Sequence, residues 1–401
     1  MKYAVILGDG MADYPQENLG GKTPLDLAKK PYIDGLCAYS EVGLCKTVAD
    51  GLKPGSDVAN LSVLGYDPKE CYTGRSPLEA ASIGIALKST DITARANLVC
   101  LSDEETFEDK TMIDYSAGEI STEEAKILID YLAEKLNDGK YRLYSGISYR
   151  HCLVIDNGKI AGDLTPPHDI TGKPVKGHLP QSEAGKEYLR LMKLSARLLK
   201  DHPVNLARIK AGKRPANSLW FWGEGTKPAL QSFTERYGIK GAMISAVDLL
   251  KGIGKLTGMR VIEVEGATGN YDTNFQGKAN AALDAFNDCD FVYIHMEAPD
   301  ECGHHGDAPH KIYSIERIDG VVKTIAEGLK QSGEDFSLLI MPDHPTPLNL
   351  MTHVSDPVPY VLYNSAKTVN CGVKKYCEAE AAETGIFENS GVSLMRKFLG
   401  K

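Results

Sequence analysis

Seven residues of this chain have types and settings that could do chemistry together: Asp9, Ser56, Asp300, His304, Asp343, His344 and His353. Each acid or imidazole of the set falls beyond a short apolar run. Asp9 follows Tyr3–Leu7 within Gly8-Asp9-Gly10, and Asp300 and His304 follow Phe291–Met296. Asp343 and His344 follow Ser337–Met341, with His353 nine residues later. Six of the ten histidines lie between His295 and His353, so the imidazoles are concentrated rather than scattered. In open α/β sheets ligands gather beyond the carboxyl ends of the strands. Three strand ends would therefore bring these groups to one edge of one sheet. Carboxylate oxygens and imidazole nitrogens suit manganese, zinc or magnesium, and six such groups are too many for one closed site. Two ions are the economical inference, and paired ions suit the attacking and leaving oxygens of an in-line phosphoryl displacement.

Ser56 stands in Pro54-Gly55-Ser56-Asp57-Val58-Ala59-Asn60-Leu61, before an apolar helical run. It is either an N-cap or a nucleophile whose anionic form is favoured by the free N–H groups and dipole of a helix start. The metal-ligating set elsewhere in the chain favours the nucleophile. His295, inside a strand, reads as core and His310 as surface. Nine cysteines without a C-x-x-C pair read as reduced thiols, with Cys302 a further candidate ligand because it lies in the histidine-rich segment. The opening Gly8-Asp9-Gly10-Met11-Ala12-Asp13 imitates a dinucleotide fingerprint, but Asp13 replaces its third glycine and would face a pyrophosphate. No G-x-x-x-x-G-K-[ST] loop is present either.

The elements that must position these residues follow from periodicity. Tyr3–Leu7, Arg260–Val264, Phe291–Met296, Ser337–Met341 and Val358–Tyr363 read as buried parallel strands. Between them lie helical patterns such as Tyr313–Lys330, with Ile315, Ile318, Val322 and Ile325 on one face. The middle differs. It combines a helix over Ser121–Leu136, opened by Ser-Thr-Glu-Glu, with short strands such as His151–Ile155 and loops rich in proline and glycine. A length of 401 residues suits two domains. We expect a discontinuous core, 1–71 with 241–401, and an inserted α/β domain, 72–240. A net charge of -9 without a basic stripe excludes a nucleic-acid binder. No apolar stretch is long enough for a signal peptide or membrane span, and a cytoplasmic protein acting on a small substrate is expected. A metal-binding regulatory protein without turnover fits less well, since structural sites are normally closed and these ligands flank a nucleophile candidate.

From end to end the chain resembles the archaeal-type cofactor-independent phosphoglycerate mutases of the alkaline-phosphatase superfamily. The resemblance rests on Leu7-Gly8-Asp9-Gly10-Met11, Gly55-Ser56-Asp57-Val58-Ala59-Asn60, Tyr72-Thr73-Gly74-Arg75-Ser76-Pro77-Leu78-Glu79-Ala80-Ala81, Glu265-Gly266-Ala267-Thr268-Gly269, Asp300 with His304, and Pro342-Asp343-His344. It implies an α/β, alkaline-phosphatase-like three-layer core with a mostly parallel central sheet, plus a smaller inserted α/β domain that binds phosphoglycerate; the discontinuous pattern, with metal ligands only outside 72–240, leads us to expect that domain to move as a cap. It also implies one ion on Asp9, Ser56, Asp343 and His344 and another on Asp300, His304 and His353, manganese being the leading metal. Arg95, Arg150 and Lys251 match substrate-binding positions. The implied reaction interconverts 2-phosphoglycerate and 3-phosphoglycerate through a phosphoserine at Ser56. Two departures point to an alternative. Arg95-Ala96-Asn97-Leu98 replaces the Arg-Gly-Asn-Phe of archaeal members, and Thr111–Gly118 looks like a bacterial branch for which homoserine kinase activity has been proposed.

Overall fold

A computed structural model describes residues 1–401. The chain divides into two compact units, Met1–Tyr72 with Ala229–Lys401, and Thr73–Pro228. No helix is long and apolar enough to cross a membrane.

In the first unit an eight-stranded sheet runs in the order Phe387–Glu388, Ser40–Cys45, Val358–Asn364, Phe336–Met341, Lys2–Gly8, Phe291–Met296, Gly241–Ile244 and Arg260–Ile262. Lys2–Gly8 lies at its centre, parallel to both neighbours. Ala4 and Ile6 point to one face and Val5 and Leu7 to the other, and all four are fully buried. Continuous apolar runs are what a sheet covered on both faces requires. The helix Ala308–Ser332 supplies part of one cover, packing Ile315, Ile318, Val322 and Ile325 into the cluster that holds Ala4, Ile6, Val292 and Ile340. Asp307 caps its start by accepting from the His310 N–H, and Gly333 ends it with φ 72°.

Two sequence expectations need correction here. Val358–Asn364 is a strand but runs antiparallel to both Phe336–Met341 and Ser40–Cys45. The segment between it and Met341 contains no helix, and a parallel return would need a crossover of about a dozen residues or more, usually helical. Arg260–Ile262 is an edge strand, part-exposed rather than buried.

The second unit is a five-stranded antiparallel sheet centred on Ile92–Leu101, all ten residues of which are buried. Arg150–Ile155, Ser218–Thr226 and Met112–Asp114 pair with it, and Tyr141–Tyr144 pairs with Arg150–Ile155. Helices Thr122–Leu136 and Gly185–Leu199 bring Leu128, Leu132, Tyr188 and Met192 into its core. The expected cap at Ser121 forms, its hydroxyl accepting from the Glu124 N–H. Residues 229–240 fall in the first unit rather than the inserted one. Phe233 packs its ring 4.5 Å from that of Phe291, and the Tyr237 hydroxyl donates to the Gly65 carbonyl at 3.1 Å.

Candidate active site

Three strand ends of the first unit deliver acids. Gly8 passes directly to Asp9, Met296 leads to the helix Ala298–His304 with Asp300 on its first turn, and Met341 leads to Asp343 and His344. The turn after the central strand needs Gly10, whose φ is +60°. A Cβ there would lie 2.6 Å from both Asp300 Oδ1 and Thr346 Oγ1, so only glycine lets the first loop pass this close.

Ser56 is the first residue of the helix Ser56–Val63, and Gly55 occupies the cap position without a side chain to cap it. The N-cap reading of Ser56 therefore fails. Its half-buried hydroxyl lies 3.3 Å from Asp9 Oδ2 and 3.2 Å from His344 Nε2. Asn60, one turn on, fixes this helix start: its amide donates to the Ser56 carbonyl and to Asp343 Oδ2, both at 2.8 Å. The Tyr293 hydroxyl, from the sheet, donates to Asn60 Oδ1 at 2.6 Å.

Around this hydroxyl the acids and imidazoles form two overlapping groups, Asp9 with Asp300 and His344, and Asp300 with His304 and His353, each with its ligand atoms within 4.8 Å of one another. His344 Nε2 is 3.5 Å from Asp9 Oδ1 and 3.4 Å from Asp343 Oδ2. His304 Nε2 is 3.3 Å from Asp300 Oδ2, and His353 Nε2 is 3.4 Å from Asp300 Oδ1. The Thr346 hydroxyl donates to Asp300 and lies 3.3 Å from His344 Nδ1, touching both groups. Lys311, fully buried, secures the loop carrying Thr346, donating to its carbonyl at 2.8 Å and to Asp13 at 2.7 Å.

The electrostatics fit a cation. Burial, together with Asp343 and Asp300, pushes the Asp9 carboxyl well above its usual range. Burial works in the same direction on Asp300, but hydrogen bonds from His304 and His353 outweigh it and hold that carboxyl well below. His304 in turn is raised to about 9 by its hydrogen bond to Asp300, while burial lowers His344. Asp9 Oδ1 is buried with no hydrogen-bond partner. An orphaned carboxylate oxygen, two imidazole nitrogens facing each other at 2.9 Å, and a surplus of buried acids are what divalent ions would satisfy. Cys302 stands outside both groups, and burial raises its thiol to about 11.

The second unit holds a cationic cluster of its own. Glu79 binds Arg95 Nε and Arg75 Nε, each at 2.9 Å, while the Arg95 guanidinium lies 4.2 Å over the Trp222 ring. His168 meets Trp222 edge-on at 5.0 Å. Burial opposes the Glu79 charge, yet Arg95, Arg75 and Arg150 together hold its carboxyl below the usual range. Burial pulls Arg95 down to about 10, still a cation at neutral pH. Two planar guanidiniums braced by one carboxylate suit an anionic ligand.

Comparison with known proteins gives one answer. Residues 38–205 match the family described as 2,3-bisphosphoglycerate-independent phosphoglycerate mutase. A Geobacter sulfurreducens protein named as a probable enzyme of that kind is 48% identical over 402 residues, covering all of both chains. A Methanosarcina barkeri protein of the same name is 50% identical, over 96% of each chain. The chain belongs to this family. Among solved structures, a Pyrococcus horikoshii protein superposes with TM-score 0.82 at 31% identity, covering 100% of this chain and 97% of its own. The cofactor-independent phosphoglycerate mutase of Thermoplasma acidophilum superposes with TM-score 0.64 at 27% identity, covering 100% and 99%.

In this family member the seven residues singled out in the sequence, Asp9, Ser56, Asp300, His304, Asp343, His344 and His353, come together at one sheet edge. Asp343 accepts from the Gly10 and His344 N–H groups and from Asn60, and its Oδ2 also faces His344 Nε2 at 3.4 Å. Asp300 instead belongs to both ligand groups. Arg95 and Arg150 lie in the second unit, Arg150 exposed on the strand start with its guanidinium 5.4 Å over Tyr149. Lys251 lies in the first unit, 2.8 Å from Glu263. Sequence reasoning missed Asn60, Thr346, Glu79 and above all His295. His295 is core, as expected, but its Nε2 lies 2.8 Å from Asp9 Oδ2. The available signal was its place in a strand whose next residues carry Asp300.

Proposed function

We propose that this protein interconverts 2-phosphoglycerate and 3-phosphoglycerate, passing the phosphoryl group through Ser56. One observation carries the reading. A serine hydroxyl, free of any capping duty, lies beside Asp9 and His344 in a chain related end to end to proteins named for that reaction. Two divalent ions, manganese first and zinc or magnesium as alternatives, would be held by Asp9, Ser56, Asp343 and His344 and by Asp300, His304 and His353; when bound they favour the Ser56 alkoxide and stabilise charge on the transferring group.

Ser56 Oγ bonds to phosphorus as the bond to the departing glycerate oxygen breaks, leaving a phosphoserine. The other glycerate hydroxyl then attacks that phosphorus and releases Ser56. The start of the helix Ser56–Val63 lends positive potential to this end of the reaction. Arg95 and Arg150 take the anionic groups of the phosphoglycerate, Glu79 holding Arg95 in place, and Lys251 adds a third cation. The two arginines thus belong to the Thr73–Pro228 unit, and Lys251 and the phosphoryl chemistry to the other. The reaction is glycolytic and cytoplasmic.

The test uses purified protein with manganese. Supplied with 3-phosphoglycerate alone, it forms 2-phosphoglycerate without nucleotide or bisphosphoglycerate. No isomerisation, together with ATP-dependent formation of O-phosphohomoserine from homoserine, would overturn the substrate and replace the mutase with a kinase.

A further inference from the structure

We propose that His295, held by Ser245, is a positioning residue that turns Asp9 so that one chosen oxygen is presented to an ion. Side chains alternate along a strand, so Tyr293 and His295 of the strand Phe291–Met296 leave it on the same side. Tyr293 reaches Asn60 on the Ser56 helix, and His295, paired in register with Leu7, reaches Asp9 two residues further along the neighbouring strand.

Both ring nitrogens are engaged. Nε2 lies 2.8 Å from Asp9 Oδ2 and Nδ1 lies 3.2 Å from Ser245 Oγ. Asp9 in the ionised form that holds an ion only accepts, so Nε2 then carries the hydrogen. Nδ1 is then an acceptor, and Ser245 can serve it. The serine oxygen already accepts from the Val247 N–H at 3.0 Å, which leaves its own O–H to donate to the ring. One tautomer satisfies every group. Lys278, fully buried, fixes the main chain at the same residue by donating to the His295 carbonyl at 3.0 Å.

The consequence falls on Asp9. Its Oδ2 is occupied by His295 and Ser56, whereas Oδ1, buried and without a hydrogen-bond partner, is left 3.5 Å from His344 Nε2. Burial alone calls for a partner on each ring nitrogen; what marks His295 is that one partner is a single oxygen of Asp9, the other oxygen being left open. Groups that orient a metal ligand in this way typically change ion affinity about 10–100-fold when removed. The proposal rests on Asp9 being an ion ligand, and the experiment separates the two claims.

Full-length protein stripped with a chelator is titrated with manganese(II) alone, by calorimetry and by the electron-spin signal of the free ion. His295→Leu is expected to weaken one of two binding steps about 10–100-fold and leave the other within about threefold. His295→Gln, whose amide N–H can reach the place of Nε2, should restore most of the loss, and Ser245→Ala should fall between. In turnover the leucine variant loses kcat with the KM for phosphoglycerate within about twofold. Wild-type manganese affinity in His295→Leu, with Asp9→Asn weakening one step, overturns the role of His295 and leaves the ion site standing. Unchanged binding in Asp9→Asn overturns the ion site and the proposal with it. A glutamine variant no better than leucine, when both melt like wild type without ions, also overturns it. Should His295→Leu fail to fold, Ser245→Ala decides alone, wild-type affinity there being the refuting result.

Discussion

Replacing Ser56 with alanine separates stability from chemistry by a margin the structure lets one work out. The hydroxyl caps no helix N–H, so the roughly 1 kcal/mol cost of losing a cap does not apply. What is lost is two contacts, to Asp9 Oδ2 at 3.3 Å and His344 Nε2 at 3.2 Å, both long for O–H donors. A hydrogen bond contributes about 1 kcal/mol net, and Asp9 Oδ2 keeps its shorter bond to His295. Alanine also suits a helix slightly better than serine, by a few tenths of a kcal/mol. The net cost is about 1 kcal/mol, a melting shift of about 2–4 °C for a unit of this size. Removing a nucleophile elsewhere lowers turnover on the order of 10⁴–10⁶-fold, or roughly 5–8 kcal/mol of barrier. Isomerisation of 3-phosphoglycerate, followed by phosphorus NMR, should therefore vanish in a variant that melts almost like wild type. Digestion of wild type quenched during turnover should yield a phosphorylated peptide containing Ser56, absent from the variant. A folded Ser56→Ala protein retaining more than about a hundredth of wild-type turnover would refute the phosphoserine route, since direct transfer would then suffice.

Two further outcomes follow from the second unit. His151 is buried, its Nδ1 accepts from the Gly146 N–H at 3.1 Å, its Nε2 has no partner, and burial lowers it to about 3. Its folded value lies below the unfolded value of about 6.5, so its contribution is intact above pH 6.5 and is lost as pH falls towards 3, by up to about 1.4 kcal/mol per pH unit. Both tryptophans, Trp220 and Trp222, lie in this unit, so denaturant unfolding followed by their fluorescence reads it, and His151→Leu should flatten the acid slope; an unchanged slope contradicts the assignment. Arg95→Lys loses the stack on Trp222 and the planar fork but leaves Glu79 paired with Arg75. The KM for phosphoglycerate should rise about tenfold or more, a charged hydrogen bond contributing about 1.5–3 kcal/mol, and a KM within about twofold of wild type would remove Arg95 from substrate binding.

How much of this was legible depended on whether a feature was local. Asp9, Asp300 and Asp343 could be read because each follows a continuous apolar run, and such a run marks a strand whose carboxyl end is where ligands gather. Strand direction is not written in the run itself. Val358–Asn364 is as apolar as its neighbours, and its reversal follows from the helix-free segment before it. Ser40–Cys45 carries no clear strand pattern because Ser-Glu-Val-Gly-Leu-Cys mixes polar and apolar residues around Gly43, where a Cβ would lie 2.6 Å from the Ile386 carbonyl. The expected inserted domain runs to residue 240 and the compact unit to Pro228, because Phe233 and Tyr237 join the first unit through contacts with Phe291 and Gly65, remote in sequence. Glu79 could not be singled out for the same reason. Its two arginine partners come from its own helix start and from a strand, and only folding brings them together.

The placement of Ser56 shows what a single residue of offset decides. A serine one position earlier would stand at the cap, where a side-chain oxygen accepts from a backbone N–H two or three residues on and is thereby turned inward. Gly55 takes that position instead and offers no side chain, so the helix start leaves the Ser56 hydroxyl uncommitted. Asn60 then does what a cap would otherwise contribute to order, tying the Ser56 carbonyl to Asp343 through one amide, with Tyr293 holding that amide's other end. These two side chains therefore link the serine backbone to one acid, while His295 links its hydroxyl's neighbour Asp9 to the sheet. Of the atoms next to the Ser56 hydroxyl, Asp9 Oδ2 is anchored to the sheet through His295, and the oxygen of that acid left without a partner is Oδ1. A bare core would satisfy that oxygen. Its being left open, in a pocket already crowded with acids, is the physical reason to expect cations there.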